Sequence, residues 1–218
     1  MLKAIVFDFD GVLCESVEIK TQAFRKLFAS HPERLEEVID FHMRNGGLSR
    51  FAKFEIIYRD ILKKPLPEEE MARLAREFVV YSREAVIAAP MVRGAMEFLE
   101  EYSRKILLFV ASGTPETEMV EIVKAKGLGA YFRGVFGSPR LKADIVRTIF
   151  EQYALKAAEV IFVGDSLTDH AAAQQTGLFF VGRVVPDYFN PFEEKKPDFI
   201  IQDIHDLKFF ILKSHKIC

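Results

Sequence analysis

Cysteine is scarce in this sequence of 218 residues, which contains only Cys14 and Cys218. The number and spacing of these two residues support neither a disulfide framework nor a zinc site, and a reducing cytoplasm is the compartment that fits best. Cys14 directly follows an apolar segment. A cysteine in that setting more often packs into a core than reacts, so we expect Cys14 to have a packing role.

Long hydrophobic runs and an excess of basic charge are also missing. No uninterrupted apolar run reaches the roughly 18 residues that span a bilayer, and we expect no secretory leader because no basic region precedes a cleavage site. The formal net charge is −2, whereas general nucleic-acid binders usually carry a basic stripe. Half of the residues are hydrophobic, so a sizeable core can form. Neither membranes nor nucleic acids are expected partners.

Several short, continuously apolar segments predict buried parallel strands, because half-exposed strands would alternate apolar and polar residues. These segments cover residues 4–9, 106–111, 160–163, 179–181 and 199–201. Helical patterns lie between them, for example over 116–126 and 143–153. Such an alternation predicts the α/β fold class, with a doubly wound parallel sheet.

Residues 16–88 break this alternation, since the stretch consists almost entirely of helical patterns and contains no convincing strand. Candidate helices cover 17–29, 34–44, 51–62 and 68–86. We therefore predict two domains. Residues 1–15 and 89–218 would form an α/β core, and residues 16–88 would form an all-helical domain inserted after the first strand, with hinges near 14–16 and 88–91.

Polar residues lie at the carboxyl ends of three of the predicted strands. They form the motifs Asp8-Phe9-Asp10-Gly11-Val12, Ser112-Gly113-Thr114 and Gly164-Asp165-Ser166-Leu167-Thr168-Asp169. In open α/β sheets ligands bind beyond the carboxyl ends of the strands, so these motifs should meet in one crevice. Crowded carboxylates raise one another's pKa unless a cation neutralises them, and ligands that offer only oxygen suit Mg²⁺.

Together with the isolated Lys142, these motifs resemble those of the haloacid dehalogenase superfamily in order and spacing, over nearly the whole chain. The helical insert is similar to the α-helical cap of phosphoglycolate phosphatase-like and β-phosphoglucomutase-like members. The resemblance implies a Rossmann-like core with a cap and a Mg²⁺-dependent phosphatase that acts on a small phosphorylated metabolite. The oligomeric state stays open.

The resemblance also implies roles for the acidic residues. Asp8 would attack phosphorus and form an aspartyl-phosphate. Asp10 would act as general acid on the leaving oxygen and then as base on the hydrolytic water, and its backbone carbonyl would contact Mg²⁺. Asp8 and Asp165 would be further metal ligands. Asp169 would act through water or by orienting Lys142; the alternative is a simple carboxylate at a helix N-terminus.

A second set of residues would bind the phosphoryl group. Ser112 would hydrogen-bond it, helped by the backbone N–H groups of Gly113 and Thr114 at a helix N-terminus; the alternative is an ordinary turn. Lys142 would offset the negative charge of the nucleophile and of the phosphoryl oxygens. Arg140 is a rival for that role, and the spacing in the family favours Lys142.

The segment 44–54 resembles the cap loop of β-phosphoglucomutase-like proteins, which reaches down to the substrate. Arg50 would hold an anionic group there, because a guanidinium makes bidentate bonds with phosphate or carboxylate. Lys53, one helical turn further on, would assist. The alternative is an exposed basic start of a helix.

Three other functions are compatible with parts of the pattern. A sugar phosphomutase shares the motifs, and a phospho-accepting regulatory domain also groups aspartates with a lysine at one end of a sheet. The large helical insert and the acid/base position of Asp10 argue against the regulatory domain. Dehalogenases of the superfamily lack the second aspartate of the first motif, which is present here as Asp10.

Overall fold

The computed structural model describes residues 1–186 and 188–214, so Asp187 and Cys218 lie outside the described residues. A parallel sheet of six strands is the centre of the fold, in the order β3-β2-β1-β4-β5-β6. Its strands are β1 (Ala4–Phe7), β2 (Leu107–Pro115), β3 (Gly134–Ser138), β4 (Val160–Gly164), β5 (Phe179–Arg183) and β6 (Phe199–Ile201). The sequence did not predict β3, because glycines at positions 134 and 137 leave it without a continuous apolar run.

Helices cover both faces of this sheet. They are α5 (Ala95–Tyr102), α6 (Glu116–Ala125), α7 (Lys142–Tyr153), α8 (Leu167–Thr176) and α9 (Ile204–Ser214). Alternate side chains of each strand enter different cores: Ile5 and Phe7 of β1 pack with α5, α6 and α9, whereas Ala4 and Val6 pack with α7 and α8. Burial on both faces explains why the strands are apolar throughout.

The segment after β1 is helical, as predicted. It contains α1 (Val17–Leu27), α2 (Leu35–Arg44), α3 (Arg50–Ile56) and α4 (Glu68–Ala88), and a π-helical turn over Ile57–Ile61 continues α3. These helices enclose a third hydrophobic cluster of their own. At its centre the ring of Phe24 lies 5.7 Å from that of Phe54 and 5.4 Å from that of Phe78. Two aromatic pairs of this kind supply directional packing as well as buried area.

The two connections between the helical segment and the sheet lie side by side. Cys14 forms an isolated antiparallel bridge with Met91, and the N–H of Glu15 donates to the carbonyl of Pro90 over 3.0 Å. The ammonium of Lys126 donates to carbonyl groups at the C-terminal end of α4, where a positive charge interacts favourably with the helix dipole. Cys14 is fully buried, in agreement with a packing role.

Within residues 1–186 and 188–214, no helix combines the length and the apolarity that crossing a membrane requires. The division into domains at 15/16 and 88/89 stays a prediction.

Candidate active site

The order of the strands reverses beside β1, which has β2 on one side and β4 on the other. At such a point the connecting loops turn away to opposite sides and leave a crevice at the carboxyl ends of the strands. Asp8 directly follows β1 and Asp165 directly follows β4. The N–H of Asp8 donates to the carbonyl of Val163 over 2.9 Å, which extends the pairing of the two strands up to the crevice.

Three carboxylates meet in this crevice. Asp8, Asp165 and Asp169 each place one oxygen atom within 4.8 Å of the others. The ammonium of Lys142 joins two of them, since it lies 2.7 Å from Oδ2 of Asp8 and 2.6 Å from Oδ1 of Asp169. The side chain of Lys142 is 6% exposed and that of Asp8 is 4% exposed, so this ion pair is almost completely desolvated.

The cluster carries more negative charge than Lys142 can balance. Burial, and then the nearby charges of Asp169 and Asp10, raise the pKa of Asp8 to about 7 despite the attraction of Lys142. Burial and the charge of Asp8 raise the pKa of Asp165 well above its ordinary value. Surplus charge on oxygen ligands that lie this close together suits a small divalent cation such as Mg²⁺.

Both oxygens of Asp169 already accept hydrogen bonds. Oδ1 accepts from Lys142, and Oδ2 accepts from the N–H of Ser166 over 3.1 Å and from its hydroxyl over 2.5 Å. Ser166 and Asp169 thereby form a capping box at the start of α8. Asp169 thus caps the helix and orients Lys142, and its action on Mg²⁺ through water stays a prediction.

The carboxylate of Asp10 has a separate set of partners. Oδ1 accepts from the hydroxyl of Ser16 over 2.6 Å, and Oδ2 accepts from the ammonium of Lys20 over 2.5 Å and from the hydroxyl of Thr114 over 3.3 Å. Burial opposes ionisation of Asp10, but Lys20 and the two hydroxyl groups outweigh it and hold its pKa below the ordinary value. The side chain of Asp10 therefore stays outside the acidic cluster, and metal contact through its backbone carbonyl stays a prediction.

Sequence reasoning missed Lys20. It lies on α1, and its ammonium also donates to the hydroxyl of Thr114 over 2.8 Å. One side chain of the helical segment thus links the motif that follows β1 with the motif in the last part of β2. Nothing in the sequence separates Lys20 from Lys26 on the same helix, because both fit the pattern of a solvated helix face.

The motif Ser112-Gly113-Thr114 is not at a helix N-terminus, so that expectation is wrong. β2 runs through the motif as far as Pro115, and α6 begins only afterwards. The N–H of Thr114 donates to the hydroxyl of Ser112 over 3.1 Å. A Cβ atom on Gly113 would overlap the carbonyl oxygen of Gly47, so the glycine allows the loop before α3 to approach the sheet.

Of the two basic candidates after β3, Lys142 is the one that contacts Asp8. Arg140 pairs instead with Glu116 on the surface, and its guanidinium lies over the ring of Phe136 at 4.9 Å from the centroid.

A glycine in the first motif allows the loop after β1 to lie close to Asp165. Gly11 has a φ of +75°, and a Cβ atom there would overlap the carboxylate of Asp165, so only glycine fits this position.

A cavity of about 280 Å³ lies above the acidic cluster, between the sheet and the helical segment. Its wall includes side chains from both parts of the chain, among them Asp8, Lys20, His42, Arg50, Lys53 and Asp165. Pockets of this size hold small molecules. The structure therefore places Arg50 and Lys53 beside the cavity, and the predicted contact of these residues with substrate stays a prediction.

Neither Arg50 nor Lys53 is the exposed start of a helix, so that alternative is wrong. Arg50 is 6% exposed and Lys53 is 4% exposed. The guanidinium of Arg50 pairs with Glu118 over 2.7 Å and lies over the ring of Phe78, 4.4 Å from its centroid. The positive charge of Arg50 is thus matched within the protein, and substrate binding by Arg50 stays a prediction.

Sequence reasoning also missed Arg183, a buried residue of β5 on the wall of the cavity. Its guanidinium donates to Glu15 over 2.7 and 3.1 Å and to the carbonyl of Gly11 over 2.8 Å. A bidentate arginine–carboxylate pair fixes geometry well, and here it holds the loop that carries Asp10. No motif surrounds Arg183 in the sequence.

Comparison with known proteins agrees with this architecture. The family model of haloacid dehalogenase-like hydrolases matches residues 2–177. A phosphoglycolate phosphatase of Pasteurella multocida is 27% identical over 213 residues, which cover 92% of this chain and 94% of that protein. A phosphorylated carbohydrates phosphatase of Thermotoga maritima is 26% identical over 182 residues, or 81% and 82% of the two chains.

Among solved structures, a predicted phosphoglycolate phosphatase of Haemophilus somnus superimposes with a TM-score of 0.76 and 22% identity, covering 96% of this chain and 97% of the other. This likeness supports the fold. The predicted fold class and the resemblance of the motifs are both confirmed, and so is the expectation of an enzyme. The chain belongs to the haloacid dehalogenase-like hydrolase family.

Proposed function

We propose that this hydrolase is a Mg²⁺-dependent phosphatase that moves the phosphoryl group of a small metabolite first to Asp8 and then to water. One observation carries the proposal: two aspartates only two residues apart have opposite surroundings. Asp8 lies in the acidic cluster against Lys142, whereas Asp10 is bonded to Lys20 and two hydroxyl groups. Two carboxylates with such different surroundings support two different chemical roles, and a cation held by the acidic cluster would favour the ionised form of Asp8 that attacks phosphorus. The names of the curated relatives support the same reaction class.

In the first step the carboxylate of Asp8 would form a bond to phosphorus while the bond from phosphorus to the leaving oxygen breaks. Asp10 is held in its ionised form in the free protein, so it would first gain a proton as the negatively charged phosphoester binds beside it and would then give that proton to the leaving oxygen. Lys142 would hold Asp8 in place and offset charge on the phosphoryl oxygens. The hydroxyl of Ser112 and the N–H of Gly113 would donate to the same oxygens.

In the second step a water molecule would attack the phosphorus of the aspartyl-phosphate and release Asp8. Asp10 would take the proton of that water and so return to its starting state. Lys20, Ser16 and Thr114 favour the ionised form of Asp10, which is the form that this step requires.

The acidic cluster supports Mg²⁺ as the cofactor, held by Asp8, Asp165 and the carbonyl of Asp10, with Asp169 acting through Lys142. When bound, Mg²⁺ would offset the negative charge that the carboxylates and the phosphate bring together. A volume of about 280 Å³ supports a small substrate. A cytoplasmic location stays a prediction.

Release of inorganic phosphate from p-nitrophenyl phosphate by the purified protein tests this function. We expect turnover in Mg²⁺, its loss in excess EDTA and its return when Mg²⁺ is restored. Unchanged turnover in EDTA would contradict the metal assignment. Isomerisation of a sugar phosphate without net release of phosphate would instead favour the phosphomutase.

A further inference from the structure

Among the described residues, Lys53 is the buried cation of the cavity wall that has no carboxylate partner. Its ammonium lies 3.1 Å from Nδ1 of His42 and 3.2 Å from the carbonyl oxygen of His42. It also lies 5.6 Å from the centroid of the Phe24 ring. Within the described part of the chain, no carboxylate lies within ion-pair distance of this ammonium, although the side chain is almost fully buried.

Asp165 and Asp10 attract the charge of Lys53 from a distance, but they do not outweigh its burial. Burial and the charge of Lys53 lower the pKa of His42 well below its ordinary value, which favours the neutral imidazole. Burial, and then the charge of Lys20, lower the pKa of Lys53 itself to about 7. A buried charge without a counter-ion is costly. An anion that enters the cavity would relieve this cost.

Arg50 lies on the same helix as Lys53, but its charge is already paired. It begins α3, and Lys53 follows one turn later, so both side chains reach the cavity. Glu118 of α6 already neutralises Arg50. An ammonium has three N–H donors, and two acceptor atoms of His42 account for two of those of Lys53. Within the described residues, no further acceptor lies within hydrogen-bond distance of this ammonium, so the third N–H has no partner there.

We propose that Lys53, oriented by His42, binds a second anionic group on the part of the substrate that leaves. The substrate is then a phosphomonoester that carries a carboxylate or a further phosphate in addition to the group that is transferred. Neutral phosphoesters, which leave the charge of Lys53 unmatched, are poor substrates. This inference rests on the proposed phosphatase function, and it replaces Arg50 by Lys53 as the principal residue for this anion.

Three substrates with the same two-carbon skeleton test the inference: ethyl phosphate, 2-phosphoglycolate and ethylene glycol bisphosphate. They end in a methyl group, a carboxylate and a phosphate. In the wild-type protein we expect kcat/KM for one or both anionic substrates to exceed that for ethyl phosphate by about 10- to 100-fold, the range of a charge-assisted contact. The better of the two identifies the anion.

The variant Lys53→Met should reduce that preference by about the same 10- to 100-fold factor, mainly through KM. Lys26→Met is the matched control, since Lys26 is an exposed lysine of the helical segment that lies over the ring of Tyr81. It should keep the preference of the wild type. The comparison of the three substrates in the wild type does not depend on the folding of any variant.

Two results would overturn the inference. One is a wild-type protein that hydrolyses ethyl phosphate as well as both anionic substrates. The other is a Lys53→Met variant that lowers kcat/KM for all three substrates by the same factor. Failure of the phosphatase proposal has a different signature, because the wild type would then release no phosphate from any of the three or from p-nitrophenyl phosphate.

Discussion

Replacing Asp8 by asparagine is expected to lower phosphate release from p-nitrophenyl phosphate by about 10⁴-fold or more, because single members of a nucleophile–base set contribute on this scale. The amide keeps the shape of the side chain but cannot attack phosphorus as an anion. The rate in saturating Mg²⁺, measured as kcat, tests the expectation. Binding of the phosphoester should change far less than turnover.

The folding of Asp8→Asn should not suffer, since the change removes one of three crowded carboxylates. Thermal unfolding is the check, and Asp144→Asn is a suitable control because that carboxylate pairs with Arg147 on the surface. Turnover of Asp8→Asn within about tenfold of the wild type would exclude Asp8 as the nucleophile, given the size of nucleophile effects.

Replacing Lys142 by methionine is expected to damage both stability and turnover. Asp8 and Asp169 would remain buried without their shared cation, and removal of one partner from a buried ion pair costs about 3–5 kcal/mol. Loss of a charge that stabilises the phosphoryl oxygens should lower kcat by about 10²–10³-fold. Urea unfolding and steady-state hydrolysis measure the two effects.

Arg140→Met is the matched control for Lys142→Met. Arg140 lies two residues earlier and pairs with Glu116 on the surface, and exposed pairs contribute only about 0–1 kcal/mol. It should therefore keep both the stability and the turnover of the wild type. If Arg140→Met lost activity and Lys142→Met kept it, the charge-balancing role would belong to Arg140.

Much of the fold could be predicted because its central strands are buried on both faces. The apolar runs around Ile5, Leu108 and Ile161 have no competing explanation as helices, since each is short and is followed by polar residues. The motifs were predictable as well. Each is a short run of neighbouring residues at the carboxyl end of a strand, which is where ligands bind in open α/β sheets. β3 escaped prediction because it is an edge strand rich in glycine.

The cavity wall could be predicted only in part, because its chemistry depends on contacts between distant segments. Lys20 meets Asp10 and Thr114, and the latter lies 94 residues away. The sequence predicts that Arg50 holds an anionic group of the substrate and that Lys53 assists, whereas the contacts in the structure favour the reverse order. Their difference arises from Glu118, which neutralises Arg50 and comes from α6, 68 residues further along the chain.

Chemical trapping of the phosphorylated residue tests the central claim most directly. The protein is mixed with substrate in Mg²⁺, quenched during turnover and treated with borohydride, which reduces an aspartyl-phosphate to homoserine. Peptide mass spectrometry should find homoserine at position 8, and only when substrate is present. Homoserine at another aspartate, or unmodified Asp8 in a sample quenched at full turnover, would contradict a covalent intermediate on Asp8.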